Sequence, residues 1–343
     1  MKYSCSYLAQ NGKIYNEYNS NGQRNFHSDC GSNLRENSLP NRKVAMRNSY
    51  ILIIISAVLW GSVGLTIRIL ASFGFSTIQI IVFRFITAAL CFGLYILITD
   101  RRKFRIDKTD IKYFMAFSLF VLLAYNICFV TAIRLTSYAV ATGLLYTSPI
   151  WAMFLSIYVF KEKLTKRKGI AILLSFTGCG LITGLFSSGE LSLTPIAFFA
   201  GLGAGIGYGA QGVFTKKLME KYHSVTVVFY FFIFAVIFAL PFSNFGDKIS
   251  IITNAPMSLL IGVGGAIICY IVPFALYTYA LNFIEASRAA VIVSVEPIVA
   301  ALLGFFVYDE PLTVIIIFGI AFIISAVVVL YEPNPKNTSL RSR

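Results

Sequence analysis

From Tyr50 onward the chain runs in long apolar stretches broken by short polar joints. A helix that crosses the hydrocarbon layer of a membrane needs roughly 20 apolar residues. On that template the pattern predicts ten spans, at 50–72, 76–98, 112–134, 138–160, 168–186, 194–215, 224–242, 256–282, 288–308 and 313–331. Joints such as "ASFGFST", "RLTS" and "YDEPLT" are only a few residues long. Helices joined so tightly run antiparallel and pack as neighbours. The expected class is an all-α integral membrane protein.

Composition agrees. The chain is 57% hydrophobic and 13% charged, against about 25% charged in soluble domains. The formal charge of +14 would suit a nucleic-acid partner if it were spread over one face. Instead the basic residues cluster on alternate joints: Arg101 to Lys112 in the second, Lys161 to Lys168 in the fourth, and Lys216, Lys217 and Lys221 in the sixth. The opposite side keeps Arg134 and Lys248. That asymmetry follows the positive-inside rule and predicts both termini in the cytoplasm of a multi-pass cell-membrane protein, with no nucleic acid as partner. Neither the six cysteines, which form no CxxC pair, nor the two histidines suggest a disulfide framework or a metal cluster. No P-loop motif is present, and no cofactor is expected. Residues 1–49 are rich in Asn, Ser and Gly and read as a disordered cytoplasmic tail, with Met46 as an alternative start. Residues 332–343 form a second cytoplasmic tail.

The chain also repeats itself. "YTSPIWAMFLSIYVFKEKLT" from Tyr146 returns as "SVEPIVAALLGFFVYDEPLT" from Ser294, 148 residues later. Pro149 matches Pro297, Glu162 matches Glu310 and Thr165 matches Thr313. The same offset pairs "WGSVG" at 60 with "YGAQG" at 208. The repeats are placed at 50–186 and 194–331, with five spans each. Five is odd, so the second copy enters the membrane inverted, the architecture of secondary transporters that bind cargo between their halves.

These segments resemble a known family. "SAVLWGSVGLTIR", Arg84 in "VFRFI", and the two long stretches "AIRLTSYAVATGLLYTSPIWAMFLSIYVFKEKLT" and "ALNFIEASRAAVIVSVEPIVAALLGFFVYDEPLT" look like the EamA family of the drug/metabolite transporter superfamily. The likeness covers about 50–331, with the pattern carried at 60–61, 84, 149, 162, 297 and 310. It departs at Tyr208, where tryptophan is common. The resemblance implies a ten-helix carrier of small polar metabolites, often an exporter, with both termini inside.

Several residues stand out chemically. Glu296 lies deep in the ninth predicted span, where a charge costs about 2.5–3.5 kcal/mol on insertion scales. It is expected to bind cargo or a proton, or else to hydrogen-bond a neighbouring helix; its counterpart Ser148 is uncharged. Pro149 and Pro297 are placed near the middle of their helices, where they free the carbonyls of Leu145 and Val293 and act as hinges or fixed kinks. Arg84, ~12 Å inside the second span, is a structural contact or an anion contact. Trp60, Tyr125, Asn126, Tyr146, Tyr208, Gln211, Tyr270 and Tyr277 carry polar groups at inner positions and are candidates for a shared substrate cavity, or for interhelical bonds. A literal GxGxxG at Gly207, Gly209 and Gly212 follows no strand and is rejected as a dinucleotide site. Gly201, Gly205 and Gly209 form a small-residue stripe for close helix packing. Glu162 and Glu310 end their helices and are expected to be solvated, as caps or as a latch between halves.

The reading that results is a secondary active transporter, exporting small metabolites such as amino acids, amines or drug-like compounds by alternating access, with proton coupling through Glu296. A channel or a membrane scaffold is the alternative. An intramembrane enzyme would need a catalytic set that the spans lack.

Overall fold

A computed structural model describes residues 42–136, 138–185, 194–244, 255–309 and 311–331. Glu310, Lys248 and the tails 1–41 and 332–343 lie outside the described residues. Ala45 to Tyr331 fall within one compact unit, and the described residues contain helices and no strand.

The chain opens with α1 (Arg42–Gly61), α2 (Val63–Ser72) and α3 (Thr77–Thr99). Next come α4 (Ile111–Ala116) and α5 (Ala124–Leu135), joined through a π-helical stretch at Phe117–Leu123. They are followed by α6 (Tyr138–Leu145), α7 (Ser148–Phe160) and α8 (Lys166–Ile182). The second half holds α9 (Pro195–Met219) and α10 (Ser224–Ala239), then α11 (Pro256–Ala266) and α12 (Val272–Ala280) joined by a π turn at Ile267–Ile271. It ends with α13 (Ala286–Val293), α14 (Glu296–Tyr308) and α15 (Val314–Leu330). Merged across their breaks, eight of these helices are long and apolar enough to cross a membrane, and α15 is a shorter apolar helix. α8 has the same 17 residues as α15 but begins on Lys-Arg-Lys. Seventeen residues rise about 26 Å, short of a 30 Å hydrocarbon layer.

The repeat seen in the sequence is a repeat of backbone events. α6, α7 and α8 start and stop 148 residues before α13, α14 and α15. α7 ends on Lys161 in the left-handed region (φ 53°) and α14 on Asp309 (φ 54°). Thr165 and Thr313 then cap α8 and α15, their hydroxyls accepting from the amides of Lys168 and Ile316. Repeat-matched helices also pack on each other. Phe92 of α3 stacks on Phe232 of α10 at 6.1 Å. α8 meets α15 so closely that a methyl on Gly178 would lie 2.7 Å from the Gly319 carbonyl oxygen.

Two further close approaches are reciprocal. A methyl on Gly61 would sit 2.7 Å from the Glu296 carbonyl oxygen, and one on Gly209 would sit 2.5 Å from that of Ser148. Gly61 and Gly209 are repeat partners, as are Ser148 and Glu296. Such exchange of partners is what a two-fold relation between halves produces. Lipid offers no hydrophobic drive between helices, so small residues at these crossings supply the packing. Large apolar side chains such as Leu90, Ile98, Phe120 and Phe306 point outward instead.

At one end of the bundle the halves are tied by charge. Lys168 Nζ lies 3.1 Å from Glu162 Oε2 and 3.0 Å from Glu285 Oε2, and Arg288 Nε lies 2.6 Å from the same Glu285 oxygen. The Ser287 hydroxyl donates to Glu162. The Lys168 side chain is only 3% exposed. Glu162 is therefore not solvated as expected. The left-handed turn after α7 folds its carboxylate back against the start of α13, where partners from a distant segment enclose it. Burial works against the charge of Glu285, but Lys168 and Arg288 outweigh it and hold this carboxyl below its ordinary range.

Gly209→Val lowers the melting midpoint of the solubilised protein by about 5 °C, through overpacking against Ser148. Gly264→Ala, with open space at its Cβ, leaves it unchanged. Lys168→Met leaves the buried Glu162 carboxylate without its cation and costs about 3–5 kcal/mol, most of it recovered when Glu162→Gln is added; a single variant as stable as the parent contradicts the buried pairing. Because the folded pKa of Glu285 is depressed, its contribution is full above the unfolded value of about 4.3. It disappears as pH falls through the lower folded value, so acid titration below pH ~4 removes the stability difference between the parent and Glu285→Gln.

Candidate functional site

Proline has no N–H, its ring displaces the carbonyl four residues earlier, and it disfavours helical conformation in the residue before it. Pro149 and Pro297 were expected near mid-helix; the structure places each in the first turn of a new helix, where its missing N–H is not needed. The break between α6 and α7 is Tyr146–Thr147, and that between α13 and α14 is Ser294–Val295. Tight bonds close the gaps: Thr147 N donates to Leu144 O at 3.1 Å, and Val295 N to Ile292 O at 3.2 Å. The expected fixed kink is thus a full interruption, made twice at repeat-matched positions.

Glu296 is the first residue of α14, so its charge sits at the positive end of a helix dipole. It is 8% exposed. Tyr146, in the opposite break, donates its hydroxyl to Oε2 at 3.2 Å. Tyr208, on α9, donates to Oε1. The carboxylate is held by one hydroxyl from each half.

Beside it lies a narrow cleft with enclosed room for little more than a water molecule. Trp60, Ser148, Tyr208, Gln211, Tyr277 and Val293 contribute to its walls. Trp60 packs 5.3 Å from Tyr277 and edge-on to Phe274 at 5.2 Å. Glycines of α9 make this arrangement fit. Gly205 faces Thr147 and the Leu144 carbonyl, Gly209 faces Ser148, and any side chain at Gly212 would strike the Tyr277 hydroxyl. The small-residue stripe thus seats α9 directly on the first break. Gln211 is 4% exposed, and its Oε1 has no hydrogen-bond partner among the described residues.

The other candidates stand further back. Tyr125 lies behind Tyr208, with ring centroids 5.8 Å apart. Asn126 spends its amide on the Leu122 carbonyl of its own helix, at 2.7 Å. Tyr270 belongs to an aromatic cluster with Phe85, Phe232 and Phe274. Arg84, 7% exposed, lays its guanidinium 5.1 Å over the Tyr270 ring. Phe274 was not anticipated at the site, since an apolar residue in an apolar span carries no marker of which way it faces. Neither was Thr147, which accepts from Trp151 Nε1 at 3.2 Å. No group of side chains suited to a metal ion occurs among the described residues.

Comparison with known proteins places this geometry. An uncharacterized transporter of Archaeoglobus fulgidus is 27% identical over 84% of this chain and 97% of its own. An uncharacterized inner membrane transporter of Salmonella typhimurium, YicL, is 24% identical over 83% of this chain and 95% of its own. One solved crystal structure at 14% identity superposes with a TM-score of 0.66, covering 82% of this chain and 96% of that one, which shows the fold alone. The model of the EamA-like transporter family matches residues 47–184 and again 195–332, once for each half. This multi-pass membrane chain, with its doubled set of broken helices, belongs to the EamA-like transporter family.

Proposed function

We propose that the chain is a secondary active transporter that exports a small organic metabolite by alternating access, with Glu296 as its binding and coupling carboxylate. One observation carries the reading: the carboxylate sits at a helix break, beside a cleft, and takes a hydroxyl from each half. Cargo or a proton arriving at Glu296 competes with the Tyr146 bond, and so acts on the contact between halves. The breaks at Pro149 and Pro297 are the hinges, because a two-residue turn absorbs rotation that a continuous helix resists.

In this reading α8 and α15 are the fifth spans of their repeats, making ten helices in two inverted five-helix units with both termini cytoplasmic. The ionic cluster around Lys168 then closes the cytoplasmic end. Cargo comes from the small polar or amphipathic metabolites, such as amino acids, amines or drug-like compounds. The lipid bilayer is the surrounding partner, and the placement of basic residues speaks against nucleic acid. With no P-loop in the sequence, an ion gradient or exchange supplies the drive.

Two measurements test this. In proteoliposomes, Glu296→Gln expressed at the parental level loses at least about tenfold in exchange rate and loses the dependence of rate on pH; unchanged rate and pH profile sink the coupling role. In a cysteine-free background, Lys163→Cys and Asp309→Cys react with impermeant reagents from opposite sides of the membrane. Labelling from one side would remove the inverted arrangement.

A further inference from the structure

Gln211 of α9 is 4% exposed and lines the cleft beside Glu296, yet its Oε1 has no donor among the described residues. A buried acceptor left bare is costly, and the cleft limits what can serve it. There is room for little more than one water molecule, and Trp60 and Tyr277 already pack on each other in its wall. The polar lining is mixed. The Ser148 and Tyr277 hydroxyls and the Trp60 indole are able to donate. Gln211 Oε1 and the Val293 carbonyl accept, the latter because its helical donor is replaced by Pro297. A side chain at Gly212 would strike the Tyr277 hydroxyl, which puts that hydroxyl at the wall one residue from Gln211. An ion of either sign meets groups of the wrong polarity here, whereas water donates two hydrogen bonds and accepts two. A space of this size with two to four polar partners is what a buried water requires.

Position decides what such a water does. Tyr208 shares the wall with Gln211, three residues away on one face of α9, and its hydroxyl donates to Glu296 Oε1. Tyr146 covers the other carboxylate oxygen. Tyr125 of α5, Cys179 of α8 and Tyr277 of α12 are the other titratable groups that face Glu296. Among the described residues no cationic side chain pairs with it. Tyrosine and cysteine release protons only in alkaline solution, so a proton for Glu296 comes from outside this group, and the cleft is partly open.

We infer that the cleft binds one ordered water, held by Gln211 Oε1, and that this water relays protons to and from Glu296 through the Tyr208 hydroxyl. This rests on the coupling role proposed for Glu296 and states how its proton arrives. The water donates one hydrogen to Gln211 Oε1, which points the other at the Tyr208 oxygen. In the loading step a hydronium at the open side of the cleft gives a proton to the water, and the water gives one of its own to Tyr208. Tyr208 passes its hydroxyl proton to Glu296 Oε1. Each O–H bond that breaks is replaced by one that forms, water and tyrosine end unchanged, and the carboxylate becomes a neutral acid. Release is the reverse. Gln211 acts through the water and is a positioning residue. No metabolite fits the same space, so in this conformation Glu296 trades protons before cargo is admitted.

The test follows the full chain in nanodiscs, without cargo, by infrared difference spectroscopy after a pH jump. The parent is expected to show a carboxyl band that is lost in Glu296→Gln, and a water O–H band that shifts in oxygen-18 water. Gln211→Met, close to glutamine in shape but a poor acceptor, removes the water band. It also slows the rise of the carboxyl band at least about tenfold, while the pH midpoint of that band moves by less than about one unit. A merely structural role moves the midpoint and the melting temperature, not the rate alone. Val293→Leu, which fills the cleft, produces the same two losses by a different route. A parent without the isotope-sensitive band overturns the relay and leaves the carrier standing, as does a Gln211→Met chain whose Glu296 is protonated at the parental rate. A Glu296 band that never responds to pH removes the coupling role itself, and the relay with it; cargo counterflow at the usual level would then keep a carrier that protons do not drive.

Discussion

Inside a bilayer every backbone N–H and C=O must find its partner within the protein, and Pro149 and Pro297 violate that condition at repeat-matched positions in the two halves. The rest of the molecule is arranged around the violation. α9 brings a glycine face against the first break, close enough that Thr147 and the carbonyls of Leu144 and Ser148 fill the space of missing side chains. Gly61 does the same against Glu296. Non-helical backbone at membrane depth survives only where protein or a polar cavity covers it, and here the break, the glycines and the cleft occupy one place.

The scaffold is doubled, but the chemistry is not. Helix bounds, left-handed ends, threonine caps and glycine contacts recur at the same offset in both halves. The position that holds Glu296 in the second half holds Ser148 in the first. A second carboxylate at the same depth would place like charges across a low-dielectric gap, and one of them would have to take a proton. With a single charge, the first half answers with the Tyr146 hydroxyl instead. The backbone frame is two-fold, and the carboxyl side chain departs from it.

Much of this was legible in the sequence, for a physical reason. The cost of placing polar groups in hydrocarbon forces apolar runs of a fixed length, so the all-helical membrane class and the repeat could be read directly, although eight of the described helices, against ten expected spans, are long and apolar enough to cross a membrane. That Glu296 falls within an apolar run was legible for the same reason, and the structure buries it. Facing was not, because helices that are apolar all round carry no phase. Asn126 and Gln211 look alike as amides within spans, yet one is spent on Leu122 of its own helix and the other lines the cleft with its oxygen bare. Glu162 looked like a solvated helix end because its partner Glu285 is far away in the chain. Pro149 and Pro297 announced a disturbance, but a kink and a full break differ only in how the preceding two residues close, which depends on what α9 presents to them.

The two polar assemblies that join the halves differ in how completely they are satisfied. Around Lys168, two carboxylates, an arginine and a serine hydroxyl complete one another, and a fully paired cluster of this kind gains nothing from an added ligand. Around Glu296, two hydroxyls share a carboxylate that can accept more, next to an amide oxygen with no donor at all. In the carrier we propose, the satisfied cluster would hold one end shut, and the under-satisfied one would give an arriving cargo something to change. A ligand shifts an equilibrium only by its differential affinity for the two states, so the second assembly is the place where binding energy can be turned into movement.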